Sequence, residues 1–261
     1  MKSCLMLLFF TARNQLFSPT IILVRSFFLI LTLLIFNQFW TVVKATNATA
    51  IHLTPSWFLW YLLIGLTIQF SRPEGLHKQI EDDIKTGNIA YQMLRPIPII
   101  LIYFCRSLGT FLIRCPLLFL IGGSIILFIT DFEYPPAVSH LPLILLLMLL
   151  SGCFVALCTV FIGLSCLYLQ DCVPLFWIMQ KCEYVLGGVF FPIIFYPEAF
   201  MNFCLATPFA WSIYGVAHLI YDYSPEAVFQ TTQYLLFWIF LFSGLVWSLW
   251  TILKRKAVIH G

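Results

Sequence analysis

Four ionisable residues stand where charge is expensive. Arg106, Arg114, Lys181 and Glu183 lie within or beside strongly apolar runs. A charge in such a run is expected to face protein, water or an interface rather than hydrocarbon. Lys181 and Glu183 are two positions apart, which sends them to different faces of a helix, so they are not an obvious pair. Two roles are open to the group. The residues could snorkel to an interface, or they could contact an anionic head group or line a path. Ser165 and His218 supply a hydroxyl and an imidazole, but no spacing ties them together. The chain has no H-E-x-x-H and no G-x-S-x-G. It also has no G-x-x-x-x-G-K-[ST], so it binds no ATP by a P-loop. Its nine cysteines form no C-x-x-C pair and no Cys/His cluster of zinc spacing. Most sit inside apolar runs as small apolar residues. Cys172 and Cys182 flank one short segment, which leaves a disulfide there open.

A second group is polar by design. From Arg72 to Pro96 the chain carries charge on most faces while Leu76, Ile80 and Ile84 recur at helical spacing. His77, Lys78, Glu81, Asp82 and Lys85 cover the other faces, and Gly87-Asn88 is a helix stop. The segment predicts a short amphipathic helix over Leu76 to Thr86, a turn, and a second short helix up to Arg95-Pro96. A mere connector would need only four to six residues or so. The length favours a docking helix for a partner over a solvated loop.

The elements that must hold these residues are membrane helices. Of the 261 residues 61% are hydrophobic and only 10% charged, and the mean hydropathy is +0.96. Soluble domains are roughly half apolar and a quarter charged, and a chain this short could not enclose so much apolar surface in water. The net charge of +3 is too small and scattered for a nucleic-acid surface. Apolar runs of about 20 residues are needed to cross the hydrocarbon. Six fit: 21–43, 56–70, 108–130, 141–169, 173–195 and 228–253. The fold class expected is therefore all-α, a single polytopic transmembrane domain over 1–261. Residues 1–20 read as an interfacial N-terminal helix on the inner face rather than a cleaved signal, because no small-x-small site follows the short apolar run. Residues 71–96 form a cytoplasmic segment and 196–224 an outer one. Asp171 and Pro174 suit the cap and first turn of the fifth span.

Lysine and arginine give this set a direction. The N-terminus has Lys2 and Arg13, the second loop has Arg72, Lys78, Lys85 and Arg95, and the C-terminus has Lys254, Arg255 and Lys256. The loops Asp131 to His140 and Tyr196 to Ser224 have none. Cytoplasmic loops collect basic residues, so six crossings with both termini inside satisfy the alternation. Asn47-Ala48-Thr49 is a glycosylation triplet in an outer loop, and nothing else marks a secretory protein. On the outer side Pro192, Pro197 and Pro208 interrupt the helical pattern, yet Ile193 to Ile220 is too apolar for an ordinary loop. Non-helical backbone at membrane depth must pack in protein or line a cavity. Short helices dipping back from the outer face are expected there.

The pattern Ile-x-x-Gly-x-Ile-Ala-Tyr-x-x-Leu-Arg-Pro-Ile at Ile84 to Ile97 resembles the segment after the second span in permease subunits of ABC-type exporters, in the branch with six spans and no fused ATPase. The layout is similar over nearly the whole chain. So are Gly187-Gly188-Val189-Phe190-Phe191-Pro192 and Leu205-Ala206-Thr207-Pro208-Phe209-Ala210, where that family breaks its fifth span and places re-entrant helices. The resemblance implies that Leu76, Ile80, Glu81, Asp82, Asp83, Ile84, Gly87 and Arg95 form a coupling helix and its flank, seated in a cytosolic ATP-binding subunit. Gly187, Gly188, Pro192 and Pro208 would form the outer gate, and Arg106, Arg114 and Glu183 the path or head-group contacts. It implies no cofactor on this chain, with ATP and Mg on the partner subunit. Further partners would be a second permease copy or a sister permease, and membrane lipids. The membrane would be the inner (plasma) membrane. The competing expectation is an ion-coupled transporter, for which Glu183 is the one candidate carboxylate and no repeat is visible. A lipid-modifying enzyme would need a polar catalytic cluster, and none is found.

Overall fold

The computed structural model describes residues 2–16, 19–46, 55–94, 97–130 and 139–259. Arg95, Pro96, the Asn47 triplet and most of the loop from Asp131 lie outside the described residues. The described chain is all helical. In order it runs α1 (Lys2–Leu16), α2 (Pro19–Thr46), α3 (Pro55–Phe70), α4 (Leu76–Lys85), α5 (Asn88–Met93), α6 (Ile99–Ile129), α7 (Leu141–Leu169), α8 (Val173–Leu186), α9 (Glu198–Leu205), α10 (Pro208–Ser212), α11 (Tyr214–Ala217) and α12 (Pro225–Ile259). Single 3-10 turns at Ile193–Phe195 and His218–Ile220 interleave.

Four helices are long and apolar enough to cross a membrane: Pro19–Val43, Ile99–Ile129, Leu141–Cys166 and Pro225–Ile252. Two expected spans come out differently. The span expected at 173–195 ends as a helix at Leu186, because Gly187 and Gly188 cannot hold it and Pro192 cannot continue it. Gly188 has φ +64°. The span expected at 108–130 begins nine residues earlier, at Ile99 behind Pro98, where proline's fixed φ leads into a helix. At 1.5 Å per residue α3 is about 24 Å long and α8 about 21 Å, against roughly 30 Å of hydrocarbon. The segments Glu198–Leu205 and Pro208–Ile220 meet at a 76° bend.

Helix α3 is the axis of the molecule. Phe58 to Gln69 is buried without a break. Around it Leu29 and Leu33 of α2, Phe111 and Ile126 of α6 and Phe154 of α7 complete the main core. The faces of α2 and α12 turned away from this core expose Leu23, Phe27, Leu34, Phe229, Phe237, Phe240 and Trp247. A helix that leaves such residues outside suits a lipid solvent. A second cluster joins Leu76 and Ile80 of α4 to Tyr103 of α6, Leu164 of α7 and Trp250 of α12. This cluster holds the polar segment against the bundle.

Candidate functional site

The α4–α5 unit is built by its glycines and its apolar stripe. Leu76 and Ile80 are buried, while Lys78, Gln79, Asp82 and Lys85 are exposed. Gly87 has φ +70°, which ends one helix and starts the next at no steric cost. Gly163 of α7 receives Ile80. A Cβ built on Gly163 would stand 2.7 Å from Ile80 Cβ, inside contact distance. The absence of a side chain at 163 is therefore what lets α4 lie on α7.

Two carboxylates then fasten α4 to its neighbours. Asp83 accepts hydrogen bonds from Asn88 (2.7 Å), Gln92 (2.8 Å) and the Tyr103 hydroxyl of α6 (2.6 Å). Burial pushes its carboxyl upward, but these donors together outweigh it and hold the group below the usual carboxylate range. Glu81 accepts from the Cys172 thiol (2.7 Å) and the Cys172 N–H (3.3 Å) at the start of α8, and pairs with Lys85 one turn on. Burial again raises its carboxyl, and the bonds from Cys172 and Lys85 reverse that and bring it to about 2. Cys172 and Cys182 are free thiols. The disulfide left open by their spacing is absent, and Cys172 serves Glu81 instead. Asp171 sits one residue before the cap of α8 and accepts the Val173 N–H at 2.8 Å.

This placement sorts the expected interface residues. Leu76, Ile80, Glu81 and Asp83 are buried inside the molecule, and Ile84 is half-buried. The surface they support consists of Lys78, Asp82, Lys85, Gly87, Tyr91 and Leu94. Tyr91 is 75% exposed and Leu94 83% exposed. Two large apolar side chains one turn apart on a polar segment are the conspicuous feature of that surface.

Beside α4 lies a buried ion pair that sequence spacing did not reveal. Arg72, in the turn after α3, pairs through Nη2 with Glu183 of α8. The two side chains are 3% and 1% exposed. The same Nη2 donates to Gln69 Oε1 at 3.0 Å, and Arg114 Nη1 of α6 donates to the Arg72 carbonyl at 3.0 Å. The guanidinium of Arg72 also stands 5.8 Å from the Phe176 ring centroid. Arg114 and Glu183 thus meet in one cluster, linked through Arg72. Arg106 stays apart, half-buried over the Tyr103 ring at 6.0 Å. Lys181 lies over Trp177 and Tyr184, away from Glu183, as their spacing requires. A lone acid inside an apolar helix demands a cation, and that demand was the available signal for the pair.

Gly188 anchors the other end. Its carbonyl accepts the Tyr61 hydroxyl of α3 at 2.5 Å, and Tyr196 donates to the Val185 carbonyl at 3.0 Å. Gly187 packs against Ile213 and the Phe209 carbonyl, with no room for a Cβ. Pro192 precedes the 3-10 turn and Pro208 opens α10. Ser151 of α7 donates to the Ser212 carbonyl, and Trp211 Nε1 to the Leu205 carbonyl. His218 sits by the Tyr214 and Gly215 carbonyls, remote in its bonding from Ser165, which donates to its own helix at Phe161. Among the described residues no group of three His, Cys, Asp or Glu could hold a metal. No family model matches the chain, and no curated protein matches it.

Proposed function

We propose that this chain is the transmembrane permease subunit of an ATP-driven exporter whose ATPase is a separate chain. On this reading it makes six crossings of the inner membrane with both termini cytoplasmic. Helices α3 and α8 are the two short crossings, and α9 to α11 form the re-entrant outer segment. The cargo class is drug-, lipid- or glycan-like.

One observation carries the proposal. The α4–α5 unit is fixed on its inner side to α6, α7 and α8 by Ile80, Asp83 and Glu81. On its outer side it exposes Asp82, Tyr91 and Leu94. A unit fastened to three helices of the bundle and presenting an apolar anchor to the cytosol is built to receive a push and pass it on. ATP binding would close two cytosolic subunits, α4 would move with them, and the path between two permease copies would change access. The pairing of Glu183 with Arg72 weighs against the ion-coupled reading, which wants a carboxylate free to bind and release a proton.

The test uses the exposed residues only. Tyr91→Ala with Leu94→Asp removes the anchor without touching the bonds of α4. Co-purification with a P-loop ATPase subunit should be lost, and substrate-stimulated ATP hydrolysis with it, while the unfolding temperature in detergent stays at the wild-type value. Retained ATPase association in that variant would defeat the proposal.

A further inference from the structure

The end of α12 and the link into α6 face each other across a groove of about 390 Å³. Ile97, Pro98 and Ile99 form one side, and Trp247, Trp250 and Lys254 the other. The apolar stretch of α6 starts at Ile99, and that of α12 stops at Ile252. The groove therefore straddles the level at which both helices leave the hydrocarbon, where lipid head groups lie. Its size falls within the roughly 300–1,000 Å³ of ligand clefts. Trp250 is 2% exposed and packs in the second core cluster with Ile99 and Tyr103, which fixes one part of the wall. Trp247, one turn earlier, is 58% exposed. A tryptophan at this level is the residue expected against head groups and upper acyl chains.

The charge here is one-sided. Lys254 is exposed on the groove wall, and its Nζ stands 5.7 Å from the Trp250 ring centroid. A ring face attracts an ammonium but brings no counter-charge. Among the described residues Lys254 has no ion pair, and no carboxylate lines the groove. The elements that form it cannot supply one. The chain has no Asp or Glu from Thr86 to Thr130 and none after Glu226. Those same stretches carry Arg95, Arg106, Arg114, Lys254, Arg255 and Lys256. Asp83, just before the first stretch, is buried and already accepts from three donors.

We infer that this groove seats an anionic phospholipid of the surrounding bilayer, its head group on Lys254 and its upper acyl chain against Trp247, Ile97 and Pro98. The ammonium offers three donors and a full positive charge to phosphate oxygens. The apolar side chains beside it suit the hydrocarbon that follows the head group, which a free anion would leave unused. A basic run at the end of a membrane helix is the chemistry that draws anionic lipids, and the groove gives that attraction one place to act. The site rests on membrane residence alone and not on the exporter reading.

The experiment uses the full chain reconstituted in phosphatidylcholine vesicles. Phosphatidylglycerol or phosphatidylcholine with brominated acyl chains is added at rising mole fraction, and quenching of tryptophan fluorescence is followed. The part of the quenching that belongs to Trp247 is the difference between the protein and its Trp247→Phe variant. At that residue phosphatidylglycerol should be preferred by at least about fivefold, the effect of one lysine near a lipid surface, and Lys254→Gln should remove most of the preference. Lys254→Arg should keep it. Inorganic phosphate at equal concentration should leave the quenching unchanged. Equal quenching by the two lipids, or an unchanged preference in Lys254→Gln, overturns the site. So does a loss in Arg255→Gln as large as that in Lys254→Gln, which would mean diffuse attraction to the basic run. Reversal of the quenching by inorganic phosphate would overturn the lipid as the occupant. An ATPase partner lost or kept has no bearing on any of these outcomes.

Discussion

Arg72 and Glu183 set the terms at the level of single side chains. Removing one member of a buried pair leaves the other charge uncompensated, a loss of roughly 3–5 kcal/mol, whereas replacing both with apolar groups of similar size is far milder. Glu183→Leu or Arg72→Met alone should lower the unfolding temperature in detergent sharply, and the double variant should recover a large part of the loss. A double variant as damaged as the sum of the singles would mean the two do not act as a pair. Glu81 makes a different prediction. Its carboxyl is held at about 2, below the ordinary value of 4.5, despite burial acting in the opposite sense. Its stabilising contribution is thus complete above about pH 4.5 and is lost as pH falls toward 2. Proteolysis within α4–α5 should rise over that acid window, and Glu81→Gln, which has no charge to titrate, should flatten the part of the rise that belongs to this group. The sequence pointed to Glu183 and Arg114 as charges in apolar surroundings, and each proved buried. It did not point to Arg72, because a partner 111 residues away leaves no mark on local spacing. Tyr103 was missed for a similar reason, since nothing in an apolar helix marks one tyrosine as the donor to an aspartate in another element.

At the scale of elements the polar segment was the most legible. Leu76, Ile80 and Ile84 recur every four residues on one face, and the helix expected over Leu76 to Thr86 runs Leu76–Lys85. The break at Gly187 to Pro192 was equally plain, although it arrived nine residues before the expected end of the helix. What periodicity could not say was which face of α4 would be covered. Glu81 and Asp83 were expected to face a partner subunit, yet donors from α8 and α6 draw them inward. The seat of α4 on α7 gives a direct test. Gly163→Val places atoms where Ile80 now lies and should lift α4 from α7, with a cost of about 1–3 kcal/mol from overpacking. Faster hydrogen exchange in α4 than in α3 is the expected readout. Ile80→Ala in the same background should restore much of the protection, because it clears the space the valine needs.

For the whole molecule the decisive arrangement is that one end of the bundle carries the polar unit and a different stretch carries the glycine break. Helices α3 and α7 run between them. Tyr61 of α3 holds the Gly188 carbonyl, and Ser151 of α7 holds the Ser212 carbonyl. Gly188→Ala would force a residue with a Cβ into φ +64° and close on Ile193. It should cost about 1–2 kcal/mol, and on the exporter reading proposed above transport should suffer more than ATPase association, since the α4 surface is untouched. Loss of association in Gly188→Ala with normal folding would contradict that separation. Hydropathy and the basic residues announced a membrane protein from the first, and four helices bear it out by length and composition. Helix α3 is apolar but shorter than those four, and it is sheathed in protein along nearly its whole length.

The notch at Gly163 has an evolutionary meaning as well. Because Ile80 occupies the volume a side chain would need, the two positions share a fixed allotment of space. In diverging lineages position 163 should grow only where position 80 shrinks, so that the pair drifts together while the charged residues around them change freely. Covariation between 80 and 163 would then be the inherited trace of a helix kept at one distance from its neighbour.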